Sequence, residues 1–302
     1  MADGWLRSVP GVREHEPLSR HSWYGIGGPA DFYLEVADSE QLARLLQQAQ
    51  QNGTACTVFG AGSNTLFPDE GLAGLTLKVA VERFEAGDGV VTAGAGTLMP
   101  WLALETAKRG LAGLEFGAGV PGTVGGSVFG NAGAFGIEVR DRLVSADCLN
   151  GVGLEHTVDS GGCAFAYRDS AFKSGPLRGH VVVAASFAVV PGDTDAIREQ
   201  IRQVQRHRRQ TQPIERRSLG STFKNPPHDA AGRLIDVCGL KGRQIGGAQI
   251  SEKHANFIVN LGGARASDVL ALMAEMQARV RDQFGIELEP EIRVIGRSAT
   301  AA

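Results

Sequence analysis

The chain has 302 residues, 43% of them hydrophobic and 21% charged, with a formal net charge of -3. Its length exceeds one small core and predicts two or three compact units, while the apolar fraction excludes a disordered chain. The slight acidic excess excludes a broad nucleic-acid surface, which needs clustered Lys and Arg, and leaves small-molecule chemistry as the expectation.

The opening MADGWLRSVPGV lacks the basic start and apolar run of a signal peptide, and no apolar stretch reaches membrane-spanning length. A cytoplasmic protein without a membrane segment is expected. Residues 30–36 alternate as a strand, and Asp38 can cap a helix with Gln41 three residues on. Leu42, Leu45, Leu46 and Ala49 give that helix an apolar face, and Gly53 closes it. The apolar run 56–59 is a buried strand, so a β-α-β unit leads into the loop Gly60-Ala61-Gly62-Ser63-Asn64.

Strands at 75–79 and 90–93 follow, then a helix from Pro100 through Arg109 that Gly110 ends. The next stretch, GLEFGAGVPGTVGGSVFGNAGAFG over 113–136, is too rich in glycine for an ordinary helix and too long for one turn. Glycine is the strongest anomaly of the composition, at 41 residues, roughly twice the usual share of about 7%. Gly117-Ala118-Gly119-Val120-Pro121-Gly122 matches GxGxxG, but a dinucleotide fold needs a strand before it and a helix opening within it. Pro121 and the glycines up to Gly126 argue against that helix. Either loop alone fits a tight turn between strands; both together suit backbone amides gripping one extended diphosphate.

Residues 181–190 form a continuous apolar strand, and 193–209 a helix that must end before Pro213, placing a unit boundary near 191–213. Its Arg198, Arg202, Arg206, Arg208 and Arg209 fit a solvated face, with Arg208 the exception by its closeness to the Pro213 segment. Beyond it come a helix around Ile235, a strand over 256–261, and a long helix capped by Ser267 and ended by Gly285. Val269, Leu272, Met273, Met276, Val280 and Phe284 are that helix's buried stripe. In the last strand, 288–295, Leu288, Ile292 and Val294 alternate with Glu287, Glu289, Glu291 and Arg293 on the opposite face. Cys56, Cys148, Cys163 and Cys238 are widely spaced with no CxxC pair, which predicts neither a zinc site nor a disulfide framework, and no metal. Taken singly, Ser221, Arg168, Glu291 and His254 fit a turn serine, a loop arginine, a solvent-facing strand glutamate and a structural histidine.

In combination, HSWYGIGGPAD, FGAGSNTLF, the 113–136 stretch, YRDSAFK, GSTFKNP, AGRLIDVCGLKG, HANFIVN and LEPEIRVIG resemble, in order, the UDP-N-acetylenolpyruvoylglucosamine reductases. The resemblance runs from about Ser19 to Gly296. The glycine loops alone would fit the wider class of FAD-binding alcohol and sugar oxidases; the C-terminal third separates them. Gly130 replaces a residue that is often bulkier in the family, and the short connection from Arg168 to Ser221 matches the family's compact subtype, which lacks an additional substrate-covering segment.

The resemblance implies an α+β fold, with a two-part FAD-binding domain of the vanillyl-alcohol-oxidase/PCMH type and a smaller α/β substrate-binding domain. Residues 1–80 and 81–208 would be the two FAD-binding parts and 209–302 the substrate domain. FAD would be held noncovalently by Gly60, Ala61, Gly62, Ser63, Asn64, Gly119, Val120, Pro121, Gly122, Thr123, Gly126, Asn131, Ala132, Gly133 and Arg208. Ser221 would be the proton donor, Arg168 and Glu291 would complete the catalytic set, and Asn225 and Lys241 would bind substrate. NADPH would supply hydride to reduce UDP-N-acetylglucosamine enolpyruvate, in a monomeric enzyme without nucleic-acid partners. Glu291 either polarises the substrate carboxylate in its protonated form or orients the serine. A flavin oxidase and a non-catalytic flavin-binding module are the competing expectations.

Overall fold

The computed structural model describes residues 4–296. Strand β1 (Arg13–Pro17) pairs antiparallel with β2 (Pro29–Val36), which buries Ala30, Phe32, Leu34 and Val36. Helix α1 (Ser39–Gln51) begins where the Asp38 carboxylate accepts from the amides of Glu40 and Gln41, and it buries the expected Leu42, Leu45, Leu46 and Ala49. Gly53 takes the left-handed conformation after it. Strand β3 (Cys56–Phe59) is followed by the short β4 (Thr65–Leu66) and by β5 (Leu72–Val79). Both β2 and β3 run parallel to β5, so the sheet order is β1-β2-β5-β3 and the expected β-α-β unit has β5 between its strands.

A second sheet starts with β6 (Phe84–Gly87) and β7 (Val90–Gly94), followed by α2 (Met99–Lys108) and β8 (Leu111–Ala112). Next come α3 (Val124–Phe129), the hairpin β9 (Gly133–Ala134) and β10 (Ile137–Glu138), then β11 (Leu143–Leu149), β12 (Glu155–Asp159) and α4 (Ala171–Ser174). Strands β13 (Val181–Ala188) and β14 (Val190–Pro191) precede α5 (Thr194–Thr211). The order β12-β11-β13-β7-β6 is antiparallel throughout, and the run expected over 181–190 breaks because β14 leaves to pair with β8.

Helix α3 corrects the sequence expectation for the glycine-rich stretch, since a helix does form there. Its sequence, VGGSVF, has poor intrinsic propensity. Tertiary bonds fix it instead: Thr123 Oγ1 accepts from the Gly126 amide, and the amides of Val124 and Gly125 donate to the carbonyls of Thr97 and Ala95. A methyl added at Gly125 would lie 2.9 Å from Ala95 Cβ, so the packing that holds the helix also demands its glycine. The segment before it is a 3-10 turn (Glu115–Gly119) and not a strand, so the dinucleotide context is still absent.

The remainder contains β15 (Arg217–Ser218), α6 (Ala231–Val237), β16 (Gln244–Ile245), β17 (Ala248–Ile250), β18 (Ile258–Asn260), α7 (Ala266–Phe284) and β19 (Arg293–Val294). Strands β15-β18-β17-β16 form an antiparallel sheet against which α7 packs its apolar stripe. The last strand departs from the expected alternation: Leu288 and Ile292 are buried, but Val294 is exposed while Glu291 and Arg293 turn inward. Residues 289–291 bond to the 222–224 segment, whereas 293–295 bond to Asn64 and β4, so the chain changes partner after Ile292 and loses its period of two.

One apolar cluster from Leu6 to Val189 serves both of the first two sheets. The C-terminal core takes in Tyr24, Ile26 and Leu66 from the other end of the chain, and Tyr24 Oη donates to the Ile258 carbonyl at 3.0 Å. Helix α7 is not capped by Ser267. Its amides of Ala266 and Ser267 donate to the carboxylate of Asp69, in the loop before β5, at 2.7 and 3.0 Å. Burial works against the charge of Asp69, but these amides outweigh it and hold the carboxyl below its ordinary value. Asp69→Ala should therefore cost about 0.5–2 kcal/mol at neutral pH by urea denaturation. Because the folded carboxyl is the stronger acid, the difference from wild type should be full above about pH 4 and vanish as pH falls through the lowered value.

Candidate active site

A cavity of about 570 Å³ lies where the strands hand over to the glycine loops, and residues from all three parts of the chain line it. Gly60, Ala61, Gly62, Ser63 and Asn64 form one wall directly after β3, and Gly119, Val120, Pro121, Gly122 and Thr123 form the facing one. The loops interlock: Ser63 Oγ donates to the Pro121 carbonyl at 3.1 Å, and a methyl at Gly60 would strike Thr123 Oγ1. Gly62 and Gly122 have φ of 63° and 120°, conformations that side-chained residues rarely adopt. The amides of Ala61, Gly62, Ser63, Gly122 and Thr123 donate to no other group among the described residues.

Such amides lining a cavity need acceptors, as an anion would provide. Arg208, at the C-terminal end of α5, lines the same cavity beside Gly119; it donates to Gln212 Oε1 at 2.9 Å, has no acid partner among the described residues, and is drawn below its ordinary pKa by burial. Arg198, Arg202 and Arg206 face solvent beside Asp195 and Glu199, as the charge pattern predicted. The donors and the volume together fit a dinucleotide-sized cofactor with a central diphosphate.

Arg168, Ser221 and Glu291 line this cavity as well. Arg168 occupies the second position of the turn between Ala166 and Asp169, with φ of 54°. Its Nη1 and Nη2 donate to the carbonyls of Asn131 and Gly133 at 3.4 and 3.1 Å, and Lys173 Nζ holds the Arg168 carbonyl at 2.9 Å. Its Nε lies 2.9 Å from Glu291 Oε1, a close ion pair in which the N–H direction is off the hydrogen-bond axis. Burial raises the Glu291 carboxyl above its ordinary value, against the attraction of Arg168, Lys173 and Lys224. The expected solvent-facing glutamate is thus a desolvated acid beside three cations.

Ser221 sits one residue before a segment that is firmly held. The amides of Thr222 and Phe223 donate to the backbone and side-chain carbonyls of buried Asn256, which returns a bond to the Phe223 carbonyl at 2.8 Å. The Glu291 amide donates to the Thr222 carbonyl at 2.9 Å, and this brings the serine and glutamate segments together. The Ser221 hydroxyl bonds to no group among the described residues.

Gly126, Ala132 and Gly133 also line the cavity. Asn131 does not: it is fully buried, with its amide nitrogen donating to Glu138 and the Ala166 carbonyl and its Oδ1 accepting from the Arg140 amide. Its side chain thus braces the Arg168 turn instead of lining the cofactor cavity. Asn225 and Lys241 also lie outside the lining; Asn225 Oδ1 accepts from the Ala231 amide at the start of α6, and Lys241 pairs with Asp236 at 2.6 Å. Sequence reasoning passed over Lys173 and Arg293, which do line the cavity. Their signal was place alone, within the YRDSAFK motif and two residues beyond Glu291. His254 accepts from the Asn256 amide at 3.2 Å, the structural role expected of it. All four cysteines are free and buried, and no metal-ligand cluster occurs among the described residues.

Comparison with known proteins gives two family matches: an FAD binding domain over residues 30–159, and the C-terminal domain of UDP-N-acetylenolpyruvoylglucosamine reductase over 212–295. The UDP-N-acetylenolpyruvoylglucosamine reductase of Rubrobacter xylanophilus is 44% identical over 98% of this chain and 99% of its own. UDP-N-acetylenolpyruvoylglucosamine reductase 2 of Symbiobacterium thermophilum is 42% identical over 97% and 96%. The crystal structure of the Thermus caldophilus reductase superposes with a TM-score of 0.81 at 36% identity, covering 93% of this chain and 97% of that one.

Proposed function

The chain belongs to the UDP-N-acetylenolpyruvoylglucosamine reductase family, and on that premise we propose that Ser221, Arg168 and Glu291 carry out the chemistry on the enolpyruvyl group. The protein is an FAD-dependent UDP-N-acetylmuramate dehydrogenase of peptidoglycan precursor synthesis, which reduces UDP-N-acetylglucosamine enolpyruvate with NADPH as electron source. The observation that carries the residue roles is that three groups from three distant motifs share one cavity with both glycine loops.

In this proposal the loops at 60–64 and 119–123 hold the FAD diphosphate with their unengaged amides, Arg208 adds a positive charge, and 209–302 receives the sugar nucleotide. When bound, FAD supplies two-electron transfer from NADPH to the enolpyruvyl double bond. Addition of hydride at the methylene carbon leaves negative charge on the neighbouring carbon and its carboxylate. Arg168, permanently charged and pre-positioned by the Asn131 and Gly133 carbonyls, by Glu291 and by the Lys173 bond to its own carbonyl, offsets that charge. Ser221 gives its hydroxyl proton to the carbon, and water reprotonates the oxygen. Glu291 keeps Arg168 oriented, and its raised pKa lets it hold a proton against the substrate carboxylate at higher pH than an ordinary glutamate would.

No helix among the described residues is long and apolar enough to cross a membrane, and a cytoplasmic monomer is part of the proposal. The purified protein should be yellow, and its NADPH oxidation should depend on the enolpyruvyl UDP-sugar. A colourless protein, or NADPH consumption driven by oxygen alone, would overturn the proposal.

A further inference from the structure

We infer that Lys173 is a positioning residue: its ammonium fixes the backbone of Arg168 and so sets where the catalytic guanidinium meets the substrate. The inference rests on the role proposed above for Arg168. Arg168 holds φ of 54° at a turn position that ordinarily goes to glycine, and a side-chained residue stays there only when its surroundings over-determine it. The turn's own bonds run between Ala166 and Asp169 and involve neither the Arg168 amide nor its carbonyl. Lys173 Nζ supplies that hold, donating to the Arg168 carbonyl at 2.9 Å.

Lys173 is itself anchored. It stands on α4, where the Ser170 hydroxyl accepts from the Phe172 amide and donates to the Phe129 carbonyl at 2.7 Å, at the end of α3. The Ala171 amide donates to the Cys163 carbonyl at 2.8 Å, and the Phe172 side chain is buried. The guanidinium of Arg168 reaches the Asn131 and Gly133 carbonyls, just beyond the same α3. Both ends of Arg168, carbonyl and guanidinium, are therefore referred to α3, whose Gly126 and Phe129 line the cavity. This brace keeps a fixed spacing between that wall and the cation that acts on the enolpyruvyl group. Lys173 also lines the cavity and makes no ion pair among the described residues, so direct contact with a substrate anion is the competing role. Burial and the neighbouring Lys224 draw its ammonium below the ordinary pKa, against Asp169, Glu291 and Glu289. Its hydrogen bond to a backbone oxygen of the catalytic residue favours the positioning role.

The test is a double-mutant cycle on the FAD-loaded enzyme with Lys173→Met, Arg168→Met and the two combined, plus Lys173→Arg. Stopped-flow reoxidation of the reduced flavin by the enolpyruvyl UDP-sugar gives the saturating rate and the half-saturating substrate concentration. Lys173→Met should slow the saturating rate by about 10–10², the scale of a catalytic group displaced by a fraction of an ångström to one ångström, with half-saturation little changed. The double variant should be no slower than Arg168→Met alone, because Lys173 acts only through Arg168. Lys173→Arg, whose guanidinium can also donate to a carbonyl, should recover most of the rate. If Lys173→Met does not fold, Lys173→Ala carries the same expectations. Losses that multiply in the double variant, or a raised half-saturation with the saturating rate intact, would make Lys173 a substrate contact and overturn the inference. A wild-type rate in Lys173→Met would overturn it as well. A wild-type rate in Arg168→Met alone would instead bring down the role of Arg168 on which the inference stands.

Discussion

The Ser221→Ala protein is expected to bind FAD and be bleached by NADPH at close to the wild-type rate, while its reoxidation by the enolpyruvyl UDP-sugar slows by about 10²–10⁴, the usual contribution of a positioned proton donor. The separation of the two half-reactions follows from the structure around the residue. Its hydroxyl bonds to no other group among the described residues, so truncation leaves no orphaned partner. The loop geometry is fixed downstream by Thr222, Phe223 and Asn256. Stopped-flow absorbance of the flavin band measures each half-reaction directly. Ser221→Cys, which restores a proton donor, should recover part of the lost rate. Unchanged reoxidation in the alanine variant would remove Ser221 from its role, and loss of NADPH bleaching would make it a cofactor contact.

Arg168→Met should lower kcat by about 10²–10³, or roughly 2.7–4 kcal/mol of transition-state stabilisation, the range found for one preorganised donor at a developing oxyanion. Arg168→Lys should recover little, because an ammonium cannot span the Asn131 and Gly133 carbonyls and Glu291 together. Arg168 also supports its own loop. Removing its contacts leaves two carbonyls short of donors, and the thermal midpoint should fall alongside the rate. The two effects separate by pH. Without its nearest cation the Glu291 carboxyl, already raised by burial, must rise further, so any limb of the pH–rate profile that reports Glu291 moves to higher pH. A thermal shift with kcat intact would reduce Arg168 to a structural residue.

Much of this was legible in the sequence wherever a local rule acts alone. Asp38 caps α1 and Gly285 ends α7 in the left-handed conformation because caps depend on a few neighbouring residues. The buried stripe of α7 follows from helical spacing, and the two glycine loops stood out because glycine readily takes φ values such as those of Gly62 and Gly122, which side-chained residues rarely adopt. The motifs of the catalytic group were also visible, as YRDSAFK, GSTFKNP and LEPEIRVIG.

Only the tertiary structure decided the rest, because the forces involved act between residues far apart in the chain. Helix α3 forms against its propensity since Thr97 and Ala95 accept its amides. Asp69 caps α7 from nearly two hundred residues away, a bond no local signal at Ser267 could disclose. Glu291 and Arg293 face inward because the last segment changes backbone partner midway, which cancels the alternation that pointed them at water. By itself the sequence determined which residue types could do this chemistry; burial, and the desolvation that comes with it, decided that Arg168, Ser221 and Glu291 line one cavity and that Asn131, Asn225 and Lys241 stand outside its lining.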